Sequence, residues 1–278
     1  MDWRTRDQIS NAGRPINEDA CGTAGSLAWI ADGAGTAGPP RFHRHGTDAA
    51  WLVHHVGQFF DRTNYEHDPE TPLTQALGLL EAYLDLEWGA RSVHDPAGGP
   101  TCCLAVAELR GRGEADIAVL GDVVALVPCD DGQLRVFTDD RVKPFEALSL
   151  AALGEALRGD SAMPPAARAQ IQANRALMNT AQGFPLVCPP AKWSKHVKRE
   201  TFRLAHGTPL VLITDGFYRL VDVFGLYTDD TLYEACAAGA GKQLLAQLRA
   251  AEDADEDMSR FRRFKVHDDA TLLIVSPV

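Results

Sequence analysis

Three short apolar runs, Leu27-Ala28-Trp29-Ile30-Ala31, Leu210-Val211-Leu212-Ile213 and Ala270-Thr271-Leu272-Leu273-Ile274-Val275, each carry aspartate at one end. Asp32-Gly33 follows the first and Thr214-Asp215-Gly216 the second, whereas Asp268-Asp269 precedes the third. Runs this short and this rich in β-branched residues read as buried strands. A third strand antiparallel to the others would bring all three carboxylates to the same edge of one sheet. Grouped carboxylates resist joint ionisation unless a cation sits among them. Hard divalent cations with oxygen ligands, Mg²⁺ or Mn²⁺, meet that need.

With 278 residues, 45% of them hydrophobic, the chain can bury one large core or two small ones. A net charge of -11 argues against nucleic acid or an anionic membrane as partner, since both require a basic surface. The tightest basic group, Arg260, Arg262, Arg263 and Lys265, directly follows the acidic Asp253, Asp255, Glu256 and Asp257, and reads as a solvated, charge-balanced loop. Met1-Asp2-Trp3-Arg4 lacks the apolar stretch of a secretory signal, and no apolar run approaches the ~18 residues of a membrane span. Cys21, Cys102, Cys103, Cys129, Cys188 and Cys236 have neither zinc-site nor disulfide-framework spacing. The expectation is a cytoplasmic protein in a reducing compartment.

Strand character is read at 3–10, 26–31, 101–109, 115–120, 123–128, 133–138, 197–204, 209–214 and 270–276, and helical periodicity at 44–60, 72–90, 145–158, 164–178, 228–238 and 241–253. Arg110-Gly111-Arg112-Gly113 and Asp130-Asp131-Gly132 punctuate two hairpins. Hairpin-linked strands with grouped helices predict an α+β layered domain. Residues 141–200 interrupt the strands with two helical stretches and several prolines, and could form a lid or insertion.

Arg14-Pro15-Ile16-Asn17-Glu18-Asp19-Ala20 adds a further acidic element. Adjacent side chains on an extended strand point to opposite faces, so one of Glu18 and Asp19 would contact an ion and the other support it. The ordered series Arg14 to Ala20, Ala31-Asp32-Gly33-Ala34-Gly35, Gly121-Asp122, Thr214-Asp215-Gly216 and Asp268-Asp269-Ala270-Thr271 resembles the metal-dependent protein phosphatase family of type 2C, over residues 10 to 278. The resemblance implies a single domain over 1–278: two antiparallel β-sheets packed as a sandwich and flanked by helices. It implies two Mn²⁺ or Mg²⁺ ions at one end and phosphoserine or phosphothreonine hydrolysis by a metal-bridging water. On that likeness Asp32 bridges the ions, and the Gly33 carbonyl with Glu18 or Asp19 completes one of them. Asp215 and Asp268 hold the other, Arg14 binds the substrate phosphate, and Asp122 joins Asp215 in a weaker third metal site. A phosphorylated protein would be the substrate of a monomeric enzyme.

Four positions depart from the family pattern: Ala34 stands where some members have histidine, Val123-Val124 where Ser-Arg is common, Thr101 follows Pro100 rather than threonine, and Asp269 replaces an asparagine. His43 and His45 follow the Asp32 loop and could approach the site, whereas His54 and His55 read as structural; His267 precedes Asp268 as a candidate support. The chain offers no cysteine with the phosphate-cradling loop of a cysteine phosphatase. Two rival readings are a phosphatase of a small phosphate ester and a catalytically weak phosphoprotein-binding member.

Overall fold

Along β3 (Leu27–Ala34), Leu27, Trp29 and Ala31 pack with helices, while Ala28 and Ile30 pack against a second sheet. The strand is buried on both faces, which is why it reads as a continuous apolar run instead of an alternating one. The computed structural model describes residues 1–35, 43–62, 73–89, 98–154 and 163–278. Two five-stranded antiparallel sheets make the centre. One has β3 between β2 (Asp19–Ala24) and β4 (Thr101–Arg110), followed by β5 (Glu114–Leu120) and β8 (Lys198–Arg203). The other runs β1 (Trp3–Asn11), β10 (Ala270–Pro277), β9 (Leu210–Ile213), β6 (Val124–Pro128) and β7 (Leu134–Phe137).

Three apolar layers hold these sheets in an α+β sandwich. Ile30, Ala105, Val119, Leu212 and Leu273 fill the space between the sheets. Trp29, Leu104 and Val106 meet α1 (Asp48–Arg62) and α2 (Leu73–Gly89) through Trp51, Phe60 and Leu80. On the far side Val211, Ile213 and Ile274 meet α5 (Asp215–Asp222), α6 (Asp229–Ala237) and α7 (Gly241–Asp253) through Phe217, Leu220, Leu232 and Leu248.

The segment from 141 to 197 carries α3 (Lys143–Ala152) and α4 (Pro165–Ala176). Asn174 joins them, its Nδ2 donating to the Phe145 carbonyl at 2.7 Å and to Ser149 Oγ at 2.8 Å. Val187 pairs with Cys102 of β4, and Trp193 is buried with the α1–α2 core, so the segment is tied into the sandwich. Helix α3 stops at Ala152 rather than 158, and residues 155–162 lie outside those described.

Several expectations are corrected. The three aspartates do not share one sheet: β3 belongs to one sheet, β9 and β10 to the other, and the carboxylates meet across the gap. Strand β2 and helix α5 escaped the sequence reading. Asp-Ala-Cys-Gly-Thr-Ala has no apolar run, and α5 is an eight-residue helix too short to show a period. The basic group after residue 259 is solvated only in part: Arg260 and Arg262 are exposed. Arg263 is buried and donates to Asp255, because a guanidinium needs a carboxylate when water is removed. Among the described residues no helix is long and apolar enough to cross a membrane.

Leu273 is fully buried at the middle of the inter-sheet core. Replacing it with alanine is expected to cost about 2–5 kcal/mol, read from the urea unfolding midpoint.

Candidate metal centre

The β2–β3 register sets Asp19 directly opposite Asp32. Cross-strand partners share a face, and Asp32 has the parity of Ala28 and Ile30, so the pair faces the gap between the sheets. Glu18, one residue away, takes the other face. Like charges placed opposite one another destabilise a sheet, so this pairing needs compensation. The facing sheet supplies part of it: Thr214 Oγ1 donates to Asp19 Oδ2 at 2.9 Å and accepts from the Thr271 amide at 2.9 Å. Asp215 follows as the first residue of α5, and Asp268 lies two residues before β10.

Two glycines permit the approach of these segments. A Cβ on Gly33 would stand 2.5 Å from the Glu18 carbonyl oxygen, to which the Gly33 amide donates at 2.9 Å. A Cβ on Gly216 would stand 1.9 Å from the Asp269 carbonyl oxygen. Asp269 secures the first acidic loop, its two carboxylate oxygens accepting from the Gly13 amide at 2.8 Å and the Glu18 amide at 2.7 Å. An asparagine has one oxygen and could accept in only one of those places. The family's asparagine is therefore replaced here by a residue that takes two backbone donors.

Charge in the cluster is compensated unevenly. Burial, opposed by the Thr271 and Thr214 hydroxyls and reinforced by Asp215 and Asp269, pushes Asp19 up to about 8. Burial and the neighbouring Asp19 and Asp215 hold Asp32 well above the carboxylate range. Burial and the charge of Asp122 and Asp268 put Asp215 at about 6, with the Asp32 side chain pulling the other way. Asp268 goes the other way: burial opposes its ionisation, but Lys265 and Arg219 outweigh it and hold the group low. Lys265 Nζ donates to Asp268 Oδ1 at 2.6 Å and Arg219 Nη2 to Oδ2 at 2.6 Å. Arg219 is itself fixed by buried Glu252 at 3.0 Å.

A second acidic group lies beside the first. Asp122 accepts from Cys103 Sγ at 3.1 Å and faces Glu146 of α3 and Asp222 of α5. Burial and Asp122 raise Glu146 to about 9, and burial raises Asp222 to about 6 against the pull of Lys143. Val123 and Val124 pack into the cores on either side of their sheet, which accounts for apolar residues after Asp122. Arg14 is half exposed at the edge of the cluster, its guanidinium 3.8 Å from Glu18. Thr101 Oγ1 donates to the Ala34 carbonyl at 3.3 Å.

The described side chains of His45, His55 and His267 bond or stack with groups other than the cluster's carboxylates. His45 lies 4.8 Å ring to ring from His54, and His55 is 2.9 Å from the Tyr83 hydroxyl. His267 turns to Asp253 at 2.7 Å instead of supporting Asp268. The side chain of His43 lies outside those described. Glu146, Asp222, Lys265 and Arg219 were not among the expected site residues, since each joins the cluster through tertiary contact.

A cavity of about 490 Å³ opens over the cluster, floored by Asp32, Asp215 and Asp268 and walled by Phe145, Met178 and Phe184 of the 141–197 segment. The donor set fits a hard divalent cation: it is all oxygen, and Asp19 Oδ1 is buried with no hydrogen-bond partner among the described residues. In the arrangement seen, no three acidic, histidine or cysteine side chains among the described residues close around one point. Asp268 is turned onto its cations and Asp32 onto Asp215.

A carboxyl whose pKa is higher in the fold than the ~4 of the unfolded chain stabilises the fold at low pH and loses that contribution as pH rises through the folded value. Asp19, at about 8, and Asp215, at about 6, therefore predict that the metal-free protein loses stability from pH 5 to pH 8. Asp268, held low, acts oppositely, its contribution being lost only as pH falls below the normal carboxylate range. Urea midpoints across that window should fall in the parent and fall less steeply in Asp19→Asn.

The chain was compared with known proteins. No curated protein matches it in sequence. Among solved structures it is similar to the catalytic domain of the serine/threonine protein phosphatase PstP in complex with two manganese ions, at 16% identity, TM-score 0.58 and coverage of 99% of this chain and 98% of that one. It is similar to PppA, a regulatory component of T6SS in Pseudomonas aeruginosa, at 18% identity, TM-score 0.59 and coverage of 99% and 97%. Stp1 from Staphylococcus aureus matches at 16% identity, TM-score 0.56 and coverage of 99% and 96%. These likenesses show the shared fold. The family model of protein phosphatase 2C matches residues 11–261, and the chain belongs to that family of metal-dependent serine/threonine protein phosphatases.

Proposed function

We propose that the acidic end of the sandwich hydrolyses phosphoserine and phosphothreonine in proteins, using two Mn²⁺ or Mg²⁺ ions. The observation that carries this reading is the buried, unpartnered Asp19 Oδ1 set opposite Asp32, a polar arrangement that costs stability unless a cation is taken up. Asp19, Asp32 and the Gly33 carbonyl would hold one ion, with Glu18 behind them; Asp32, Asp215 and Asp268 would hold the other, and Asp122 with Asp215 a weaker third. Bound there, such ions supply the charge that activates water and neutralises phosphoryl oxygens, within the ~20 kcal/mol or more of barrier reduction that phosphate monoesters demand. Arg14 presents a guanidinium fork to the phosphoryl group from the rim, where its exposure leaves donors free to reach substrate. The 141–197 segment excludes water from one side of the cleft and shapes what can sit beside the phosphate. Six cysteines free of disulfides support a reducing, cytoplasmic setting, and we assign the working form as a monomer.

Asp32→Asn should abolish turnover of a phosphoserine peptide in saturating Mn²⁺, while the metal-free variant melts at or above the metal-free parent because a neutral amide replaces a buried carboxyl whose ionised form is strongly disfavoured. Parent activity in that variant, or full activity after chelation with metal removal verified by elemental analysis, would overturn the reading. A panel of phosphopeptides set against small phosphate esters decides the substrate class. Arg14→Ala should raise KM several-fold with a smaller fall in kcat, as expected for a group that binds ground state and transition state alike. Steady-state kinetics on one peptide check this.

A further inference from the structure

The carboxylate expected to hold the second ion is already saturated by the protein's own cations. Asp268 Oδ1 accepts from Lys265 Nζ at 2.6 Å and from the Asp269 amide at 3.1 Å, and Oδ2 accepts from Arg219 Nη2 at 2.6 Å. The two cations are held differently. Arg219 is buried and braced by Glu252, whose other oxygen accepts from Arg249 at 2.6 Å, so the guanidinium cannot leave. Lys265 has no second carboxylate ion-pair partner among the described residues, keeps a third of its side chain exposed, and lines the cavity. Its ammonium sits on a flexible stem and can swing where the arginine fork cannot. Asp19 shows the contrast on the opposite sheet, with one oxygen buried and unpartnered and no cation bonded to it among the described residues.

We propose that Lys265 is an internal cation that competes with the second metal ion for Asp268, so that the two ion sites differ in affinity and the weaker one fills only when Lys265 leaves. This rests on the metal-phosphatase reading above. The site nearer Asp19 loads first, because nothing has to be displaced there. Loading of the second places a freed ammonium beside the cavity where the phosphoryl group is expected, on the same side as Arg14.

Calorimetric titration of Mn²⁺ into the metal-free full chain tests the proposal. The parent is expected to bind one ion at least tenfold more tightly than the next. Lys265→Met, which keeps the stem and removes the charge, should tighten the second ion at least tenfold and the first much less. Lys265→Arg should stay near the parent. Lys143→Met is the control: Lys143 also lines the cavity but pairs with Asp140 at 2.6 Å, and its removal should leave the gap between the two affinities unchanged. Lysine acylation followed by mass spectrometry gives a readout that needs no variant, since Lys265 should become more reactive once Mn²⁺ saturates both sites. Equal affinities in the parent, an unchanged second ion in Lys265→Met, or Lys265 reactivity indifferent to Mn²⁺ would each overturn the proposal. Failure of every form to bind Mn²⁺ would overturn the metal reading and the proposal with it.

Discussion

Everything at this end of the molecule is arranged around the cost of placing carboxylates side by side where water cannot screen them. Asp19, Asp32, Asp215 and Asp268 approach one another from two sheets, and each needs a proton, a donor or a cation to remain buried. The protein uses all three. Hydroxyls of Thr214 and Thr271 serve Asp19, burial favours the protonated form of Asp32 and Asp215, and Arg219 and Lys265 neutralise Asp268. The sandwich tolerates this because its three apolar layers are formed by other stretches of the same strands, which leave the strand ends free to carry charge.

Much of this was legible in the residues. Trp29, Leu212 and Leu273 lie in runs buried on both faces, and such runs announce strands whatever the sheet they join. Those runs do not say which sheet a strand joins, which is why the carboxylates were expected at one sheet edge and lie across a gap. Strand β2 was hidden because Gly22 and Thr23 carry no apolar signal, although its register is what sets Asp19 against Asp32. Asp32 and Asp215 were visible through the glycine after each, which in the fold lets another backbone segment approach closely. Lys265 and Arg219 were not visible in this way. A cation becomes part of a site through tertiary contact, and nothing in Arg263-Phe264-Lys265-Val266 tells that Arg263 pairs with Asp255 while Lys265 pairs with Asp268. Asp269 shows the converse: its departure from the family pattern was plain, but its use as a double acceptor for Gly13 and Glu18 amides needed coordinates.

The position of β10 bears on how the chain can be made. That strand lies between β1 and β9, with Trp3 opposite Pro277 and Asn11 opposite Ala270. During synthesis β1 therefore emerges first and stays without its neighbour until the last strand is released. Entropy is the smaller obstacle, since closing a loop costs only about 0.6 kcal/mol more for each doubling of its length. The larger consequence is temporal. Asp19 and Asp32 can pair early, as a hairpin, but Asp268 and the Asp269 carboxylate that accepts from the Gly13 and Glu18 amides arrive later. A chain whose β10 has not yet emerged has the Asp19–Asp32 half of the acidic cluster but lacks the acceptors for the Gly13 and Glu18 amides, so the cluster is complete only once that strand has docked.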